Sequence, residues 1–211
     1  MDYLRDPEAI YRRSFAIAED EADLAGLDED LVPVALRLIH AVADPQIASM
    51  LKSSAGAATK GKAALMDGAT IFTDCEMVAS GITRRFLPRS NEVVCTLGNP
   101  ETAPRAARLG TTRSAAAVEL WGAKLEGAIV AIGNAPTALF HLLECLDEGA
   151  PKPALILGFP IGFVGATESK AELAADPRGC PFITLPGRRG GSPLASATVN
   201  ALALAVTGSP R

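Results

Sequence analysis

Two apolar stretches, AIVAIGNAPTALFHLL (residues 128–143) and ALILGFPIGFVGATESK (residues 154–170), share one local pattern. In each, a run of apolar residues typical of a strand leads into a turn of glycine and proline, and a helix-like stretch follows. Such junctions place backbone N–H groups at the carboxyl end of a parallel sheet, where open α/β folds bind ligands. The glycines lack the spacing of a common nucleotide-binding fingerprint, so we expect a pocket for another class of ligand.

The composition is that of an acidic protein with one hydrophobic core. The chain has 211 residues, of which 48% are hydrophobic, so we expect a single domain over residues 1–211. A net charge of -4 argues against a nucleic-acid binder, which needs a basic surface. No apolar run reaches membrane-spanning length, and the first fifteen residues lack the apolar core of a signal peptide. We therefore expect neither nucleic acid nor membrane as a partner.

The cysteines carry a prediction about location. Cys75, Cys95, Cys145 and Cys180 are scattered and contain no C-x-x-C pair. This spacing fits neither a zinc site nor a disulfide framework. We therefore expect the four cysteines to be reduced thiols in a cytoplasmic protein.

From Gly68 onward, short strand-like runs alternate with helical stretches. The strand-like runs are ATIFTDC, EVVCTL, AIVAI, ALILGF and PFITL. This alternation predicts an α/β fold in one domain, with a mostly parallel sheet and helices on both of its faces.

The residues before Gly68 predict an N-terminal helical segment. Asp6 and Pro7 suit the start of one helix, and residues 28–30 the start of a second with Pro33 in its first turn. The stretch IASMLKSSA (residues 47–55) also has a helical pattern.

The stretch GAATKGKA (residues 56–63) is a near match to a phosphate-binding P-loop. It has G-x-x-x-x-G-K, but Ala63 stands at the position where a Ser or Thr would bind magnesium. A P-loop also follows a strand, whereas the residues before this stretch have a helical pattern. We interpret the match as chance. The chain also lacks G-x-S-x-G, H-E-x-x-H and a Cys with a plausible His partner, so covalent or metal-assisted hydrolysis is not indicated.

His40 is the candidate catalytic residue. It lies in LRLIHAVA (residues 36–43), an almost wholly apolar stretch, with Arg37 one turn earlier. The simpler interpretation is a core histidine bonded to a backbone carbonyl. A histidine that titrates near neutral pH can also donate a proton to a bound ring system. His141, within TALFHLLECL, has the surroundings of a structural residue.

Several basic or donor-rich turns predict anion contacts. Arg113 follows a plausible Thr112 cap, in the first turn of a helix, where a cation opposes the helix dipole unless it meets an anion. An ion pair within the chain is the alternative. Basic turns at residues 83–85 and 188–189, and helix starts at Asn134 and Ser192 with unused N–H groups, add further contacts. Their separation suits a large ligand with many carboxylates.

Seven stretches, in this order, resemble the precorrin-8X methylmutase family of vitamin B12 biosynthesis. They are RSF (13–15), RLIHAVAD (37–44), TDCEMVASGITR (73–84), LGTTRSAAAVELW (109–121), IGNAPTALFHLLE (132–144), LGFPIGFVGATESK (157–170) and RGGSPLASATVNAL (189–202). The resemblance covers essentially the whole chain.

The resemblance implies an isomerase that needs no cofactor. Its substrate would be the tetrapyrrole precorrin-8X, whose methyl group moves from C-11 to C-12 in a [1,5]-sigmatropic shift to give hydrogenobyrinic acid. His40 would protonate or hydrogen-bond the macrocycle. A homodimer with active sites at the subunit interface is also implied.

The predicted substrate contacts have two sources. Arg113 is carried over from the family, and Ser14 and Thr83 are weaker carry-overs. The junctions themselves suggest further contacts. The remaining members of the predicted set are Arg84, Ser114, Asn134, Gly158 and Gly162.

Two alternatives remain at this stage. One is a nucleotide-dependent α/β enzyme that uses the GFPIGFVG turn or the imperfect P-loop. The other is a non-catalytic tetrapyrrole carrier, which needs the same carboxylate contacts but has little use for His40.

Overall fold

A six-stranded sheet forms the centre of the protein. The computed structural model describes residues 1 and 3–208. The strands are β1 (Lys52–Ser53), β2 (Ile71–Thr73), β3 (Val93–Cys95), β4 (Ile129–Ile132), β5 (Leu155–Gly158) and β6 (Phe182–Thr184). The spatial order is β1-β6-β5-β4-β2-β3. Pairings among β2 to β6 are parallel and only β1 pairs antiparallel, which confirms the predicted mostly parallel sheet.

Helices connect the strands and form the N-terminal segment. They are α1 (Pro7–Glu21), α2 (Val32–Val42), α3 (Ile47–Met50), α4 (Ala57–Met66), α5 (Glu76–Gly81), α6 (Thr102–Leu109), α7 (Arg113–Val118), α8 (Pro136–Asp147), α9 (Ala166–Ala175) and α10 (Ser192–Thr207). Two 3-10 segments cover Arg84–Phe86 and Glu119–Leu125. Among the described residues, no helix combines the length and apolarity needed to cross a bilayer.

The two faces of the sheet are both buried. In β4, Ile129 and Ala131 join the core formed with α2, α4, α5 and α10, while Val130 and Ile132 join the core formed with α8 and α9. Side chains alternate between the faces along a strand, so a strand covered on both sides is apolar throughout. This is why the strand-like runs were continuous rather than alternating, and the predicted helices on both faces are confirmed.

The strand order reverses between β2 and β4. The chain passes from β2 to β3 on one side, and from β4 through β5 to β6 on the other. The helices after these two strands, α5 and α8, belong to the cores on opposite faces. The carboxyl ends of β2 and β4 therefore border a crevice of the kind in which doubly wound sheets bind ligands.

The predicted helix starts are confirmed in part. Asp6 caps α1, accepting a hydrogen bond from the N–H of Glu8 at 3.1 Å. The acidic residues 28–30 do not open α2, which begins at Val32. The Asp30 carboxylate instead accepts bonds from the N–H and hydroxyl of Thr59, at 2.8 and 2.7 Å, in the first turn of α4. Asp30 thus bonds to Thr59, a residue distant in sequence, instead of capping α2.

The stretch at residues 47–55 was wrongly predicted as one helix. α3 ends at Met50, and Lys52–Ser53 become β1, paired with β6 at the sheet edge. Pairing with the open edge of β6 satisfies backbone groups that the short helix cannot, so tertiary context overrides local propensity.

The P-loop-like stretch forms no loop around a phosphate. Gly56 precedes α4, and Gly61 lies inside that helix. A Cβ on Gly61 would be 2.6 Å from Leu155 Cδ2 and 2.9 Å from Leu202 Cδ1, so this glycine serves close packing of α4 on β5 and α10. Treating the P-loop match as chance is thereby confirmed.

Gly133, at the end of β4, allows the start of α10 to approach the sheet. A Cβ there would lie 2.8 Å from the backbone Cα of Ser192 and 2.8 Å from Val78 Cγ2. By contrast, a Cβ on Gly98 would meet nothing within 4 Å.

We expect Gly133→Ala to lower the free energy of unfolding by about 2 kcal/mol, because the added methyl overpacks a site where backbone must move. Gly98→Ala is the matched control and should change it by less than about 0.5 kcal/mol. Urea denaturation followed by circular dichroism measures both. Equal midpoints for the two variants would contradict the proposed close packing.

Candidate active site

A buried carboxylate connects the two strands that border the crevice. Asp74 follows β2 and is 1% exposed. Its Oδ1 accepts a hydrogen bond from the N–H of Gly133 at 2.9 Å, and its Oδ2 accepts from the N–H groups of Asn134 and Ala135 at 2.9 and 2.7 Å. The expectation of unused N–H groups at the start of α8 was therefore wrong: the chain's own carboxylate occupies them.

The role of Asp74 is structural. Burial raises the pKa of this carboxyl, and the three backbone hydrogen bonds act in the opposite direction. Sequence reasoning missed this residue because its partners lie about sixty positions later in the chain. The available signal was a single acidic residue directly after a buried strand.

A groove of about 370 Å³ lies beside this connection, between α2, α5 and α10. We call it the carboxyl-edge groove. Its lining includes Arg37, Ala41, Met77, Ser192 and Ser196. Ser192 lies 3.5 Å, Oγ to Sγ, from Cys75, which places the groove next to the end of β2.

Thr83 and Arg84 are held at one end of this groove. The side chain of Asn200, which also lines the groove, accepts a bond from the Thr83 N–H at 2.8 Å and donates to the Gly81 carbonyl at 2.9 Å. Arg84 follows in an exposed 3-10 turn. Both predicted contact residues therefore lie beside the groove, and Asn200 is the residue that fixes their turn.

His40 lies on the same helix as the groove residue Arg37. Its Nδ1 is 2.8 Å from the hydroxyl oxygen of Ser14, on α1. The imidazole stacks on Phe15, with ring centroids 4.8 Å apart, and meets Tyr11 at 5.4 Å. The guanidinium of Arg37 covers both aromatic rings at 5.0 and 5.3 Å. Two residues that the sequence analysis proposed separately, Ser14 and His40, are thus in contact.

His40 is set for a neutral imidazole with one nitrogen available. Burial and then the positive charge of Arg37 lower its pKa below the usual 6.5. No residue in the described part of the chain hydrogen-bonds Nε2. The ring is half-buried and borders a shallow hollow of about 160 Å³ between α1 and the end of α2. It is therefore not sealed within the protein.

Four arginines near these features lack carboxylate partners. Within residues 1 and 3–208, Arg37, Arg84, Arg113 and Arg188 form no ion pair. Arg113 instead donates to the carbonyl of Leu97 at 2.9 Å, at the end of β3. These guanidinium groups can therefore meet an anionic ligand without first breaking a pair in the protein.

The starts of α7 and α8 lie side by side. The Thr112 hydroxyl accepts from the N–H of Ala115 at 3.2 Å, as the predicted cap, and lies 2.8 Å from the hydroxyl of Thr137. This contact brings Arg113 and Ser114 to the same edge as Asn134. Of these three, the Arg113 and Asn134 side chains are exposed and Ser114 is half-buried.

The two glycines of the predicted set differ in position. Gly158 is buried within β5, where a Cβ would be 2.6 Å from Leu173 Cδ2, so the structure assigns it to packing and not to a surface contact. Gly162 lies in the loop after β5 with φ 134°, and its N–H donates to the Arg188 carbonyl at 3.4 Å.

Lys170 is a buried residue that sequence reasoning missed. It is 1% exposed, its ammonium donates to the carbonyl of Arg189, and burial lowers its pKa to about 8. The Arg189 guanidinium in turn pairs with Asp44, 2.7 Å away, just beyond the helix that carries His40. A lysine in a helix rich in Ala and Glu gave no sequence signal of this burial.

The other polar candidates have structural surroundings. His141 lies 3.3 Å from Glu119 and 3.1 Å from Glu144, which agrees with its structural interpretation. Burial raises the pKa of Cys95 and Cys145 to about 11, so both are poor nucleophiles at neutral pH. Within the described residues, no group of three His, Cys, Asp or Glu could hold a metal ion.

Comparison with known proteins identifies the family. A family model described as precorrin-8X methylmutase matches residues 9–205. The precorrin-8X methylmutase of Pseudomonas aeruginosa is 57% identical over 203 residues, which cover 96% of this chain and 98% of that protein. The chain belongs to the precorrin-8X methylmutase family. It is accordingly an isomerase of cobalamin biosynthesis, and the non-catalytic carrier and the nucleotide-dependent enzyme are set aside.

Other methylmutases extend the comparison. The crystal structure of the precorrin-8X methyl mutase from Thermus thermophilus superposes with a TM-score of 0.84 at 40% identity, covering 96% of this chain and all of that one. The cobalt-precorrin-8 methylmutase of Priestia megaterium is 34% identical, covering 94% of this chain and 88% of that protein. The fold described above is thus the methylmutase fold.

We expect Asp74→Asn to lower the free energy of unfolding by about 2 to 3 kcal/mol, since an amide NH₂ would face backbone donors that now bond an oxygen. Asp67→Asn, at an exposed position after α4, is the matched control. Chemical denaturation gives both values. If the two variants were equally stable, the carboxylate would not be the connection between β2 and β4.

Proposed function

We propose that the enzyme moves the methyl group of precorrin-8X from C-11 to C-12, a [1,5]-sigmatropic shift that gives hydrogenobyrinic acid. The observation that carries the proposal is the half-buried His40, whose Nδ1 is bonded to the Ser14 hydroxyl. His40 lies one helical turn after Arg37, and Arg37 lines the carboxyl-edge groove. The family membership supplies the reaction type.

The substrate class is supported by charge. A corrin-type tetrapyrrole carries many acetate and propionate arms around an apolar ring. The separate arginines without carboxylate partners suit anions spread around the edge of such a ring. Ser114 and Asn134 add neutral donors beside Arg113, while Ser14 reaches the ligand through His40.

The metal-free substrate is favoured over its cobalt form. The Pseudomonas relative, at 57% identity, is named for precorrin-8X, whereas the Priestia relative, at 34%, is named for cobalt-precorrin-8. Both substrates present the same ring and arms, so this preference rests on the higher sequence identity to the Pseudomonas relative.

His40 would act as a hydrogen-bond donor. If the Ser14 hydroxyl donates to Nδ1, the proton of a neutral imidazole resides on Nε2, the nitrogen without a protein partner. A bond from Nε2–H to the macrocycle polarises the conjugated system. The C-11–methyl bond breaks as the C-12–methyl bond forms, within one molecule, so no net proton or electron is exchanged and no cofactor is required. The remaining catalysis is positioning.

A homodimer is part of the proposal. The hollow beside His40, at about 160 Å³, is smaller than the roughly 300 to 1,000 Å³ of ordinary ligand pockets. Ile17, which lines this hollow, is 47% exposed. Ile10, two turns earlier on the same side of α1, is 46% exposed. A second copy packed on α1 would cover these side chains and complete the walls around the ligand.

We also propose that the enzyme acts in the cytoplasm, without nucleic acid.

We expect His40→Ala to remain folded and to lose methyl migration, with turnover reduced by about 100-fold or more, the range of a general acid or donor. His141→Ala is the control and should retain turnover. Absorption spectroscopy of precorrin-8X conversion measures the rate. Retained turnover in His40→Ala would remove the imidazole from the mechanism.

The pH dependence of kcat/KM tests the protonation state of His40. Burial and the charge of Arg37 lower the pKa of His40 in the free enzyme below 6.5, so the neutral imidazole predominates at neutral pH. We expect kcat/KM to be flat at neutral and mildly alkaline pH, and to fall on the acid side, with a midpoint below 6.5. A kcat/KM that falls as pH rises through that range would instead make the imidazolium the active form.

We expect Arg113→Ala to weaken tetrapyrrole binding more at low salt than at high salt, because salt screens an exposed charge contact. Lys124→Ala, which removes one exposed positive charge just before β4 at the opposite edge of the sheet, is the matched control. Titration with hydrogenobyrinic acid at several ionic strengths measures both. Equal affinity for Arg113→Ala and Lys124→Ala at every salt concentration would exclude the contact.

A further inference from the structure

The loop after β5 exposes apolar side chains that the site described so far does not use. In this segment, residues 160–165, which we call the β5 loop, Ile161 is 49% exposed, Phe163 84% and Val164 89%. Single exposed apolar residues are ordinary, but three within four positions form a continuous patch of the kind that marks a binding surface.

The backbone that presents this patch is fixed by its neighbours. The N–H of Gly162 donates to the carbonyl of Arg188 at 3.4 Å, and the N–H of Gly191 donates to the carbonyl of Phe159 at 2.8 Å. A Cβ on Gly190 would collide with the carbonyl oxygens of Phe159 and Pro160. The loop is therefore packed closely on the segment before α10, and its apolar side chains point outward from a defined support.

The β5 loop packs on the segment that leads into the carboxyl-edge groove. It follows the carboxyl end of β5, two strands along the sheet from β2. Ile161 Cδ1 would lie 3.7 Å from a Cβ on Gly191, the residue directly before Ser192 of the groove lining. A ligand wider than the groove would extend onto this loop.

A cation lies against the most prominent side chain of the patch. The guanidinium of Arg188 is 5.3 Å from the centroid of the Phe163 ring, and it forms no ion pair with the described part of the chain. An aromatic face beside an unpaired guanidinium complements a ligand that is apolar on its face and carboxylated at its rim.

We propose that Phe163, Val164 and Arg188 form a subsite that covers the face and one carboxylate arm of the tetrapyrrole macrocycle. This subsite rests on the proposed function, and it adds the aromatic contact of Phe163 beside a guanidinium already proposed to meet a carboxylate. Phe163 packs on the ring, and Arg188 pairs with an arm at the ring edge.

The test is titration of the enzyme with hydrogenobyrinic acid, followed by absorption. Phe163→Ala should weaken binding about tenfold, as expected for the loss of one aromatic contact. Arg188→Ala should weaken it by a factor that shrinks as salt rises. Met66→Ala is the control and should bind as wild type does. Met66 is an apolar residue, 42% exposed, that precedes β2 at the amino-terminal edge of the sheet.

Three results would overturn the subsite. Wild-type affinity in both Phe163→Ala and Arg188→Ala would exclude the contact. A lower molecular mass in sedimentation for Phe163→Ala than for Met66→Ala would make the patch a subunit contact. If the wild-type enzyme bound neither precorrin-8X nor its product, the proposed function itself would fail; the first two results leave that function intact.

Discussion

The hydrogen bonds of the Asp74 carboxylate to three consecutive backbone N–H groups hold the crevice of this fold in shape. They join the end of β2 to the turn after β4, where the strand order reverses. Gly133 in that turn lets the start of α10 at Ser192 approach the sheet. Further along α10, Asn200 holds the turn after α5, and the same helix packs on α2, which carries His40. The basic turn and the helix that carries the imidazole thus both pack against α10, which begins beside the turn that Asp74 holds.

This use of the backbone donors bears on how the proposed tetrapyrrole ligand would be recognised. In nucleotide-binding α/β folds, free N–H groups at a helix start hold phosphate. Here Asp74 already occupies the donors in the turn before α8. In the proposed function, anion recognition would therefore fall to guanidinium groups along the edge: Arg37, Arg84, Arg113 and Arg188. Such groups reach carboxylates several ångströms apart, which one N–H cradle cannot do. In the proposed function, the same local motif of strand, glycine turn and helix would therefore serve a different ligand class.

The parts of the fold predicted from sequence are those with local causes. Continuous apolar runs indicated five of the six strands, and Asp6 marked the start of α1, because burial on both faces and helix capping act over a few residues. The sequence analysis missed features whose cause is distant in the chain: the two-residue edge strand β1, the partners of Asp74 and the burial of Lys170. Ser14 and His40 were each predicted, but their contact depends on how α1 packs against α2, which no local pattern describes.

The surroundings of His40 couple its protonation to ligand binding. In the free enzyme, burial and the charge of Arg37 lower the pKa of the imidazole. A polyanionic ligand that pairs with Arg37 neutralises part of that charge and brings negative charge close to the ring, and both effects raise the pKa. Binding should therefore increase the proton affinity of His40, so the pKa seen in kcat should exceed that seen in kcat/KM. The stacked Phe15 ring and the Ser14 hydroxyl keep the ring in one orientation through this change. Because a group of higher pKa holds its proton more tightly, this change does not strengthen the neutral N–H as a donor; it moves the acid-side fall of kcat to a higher pH than the fall of kcat/KM.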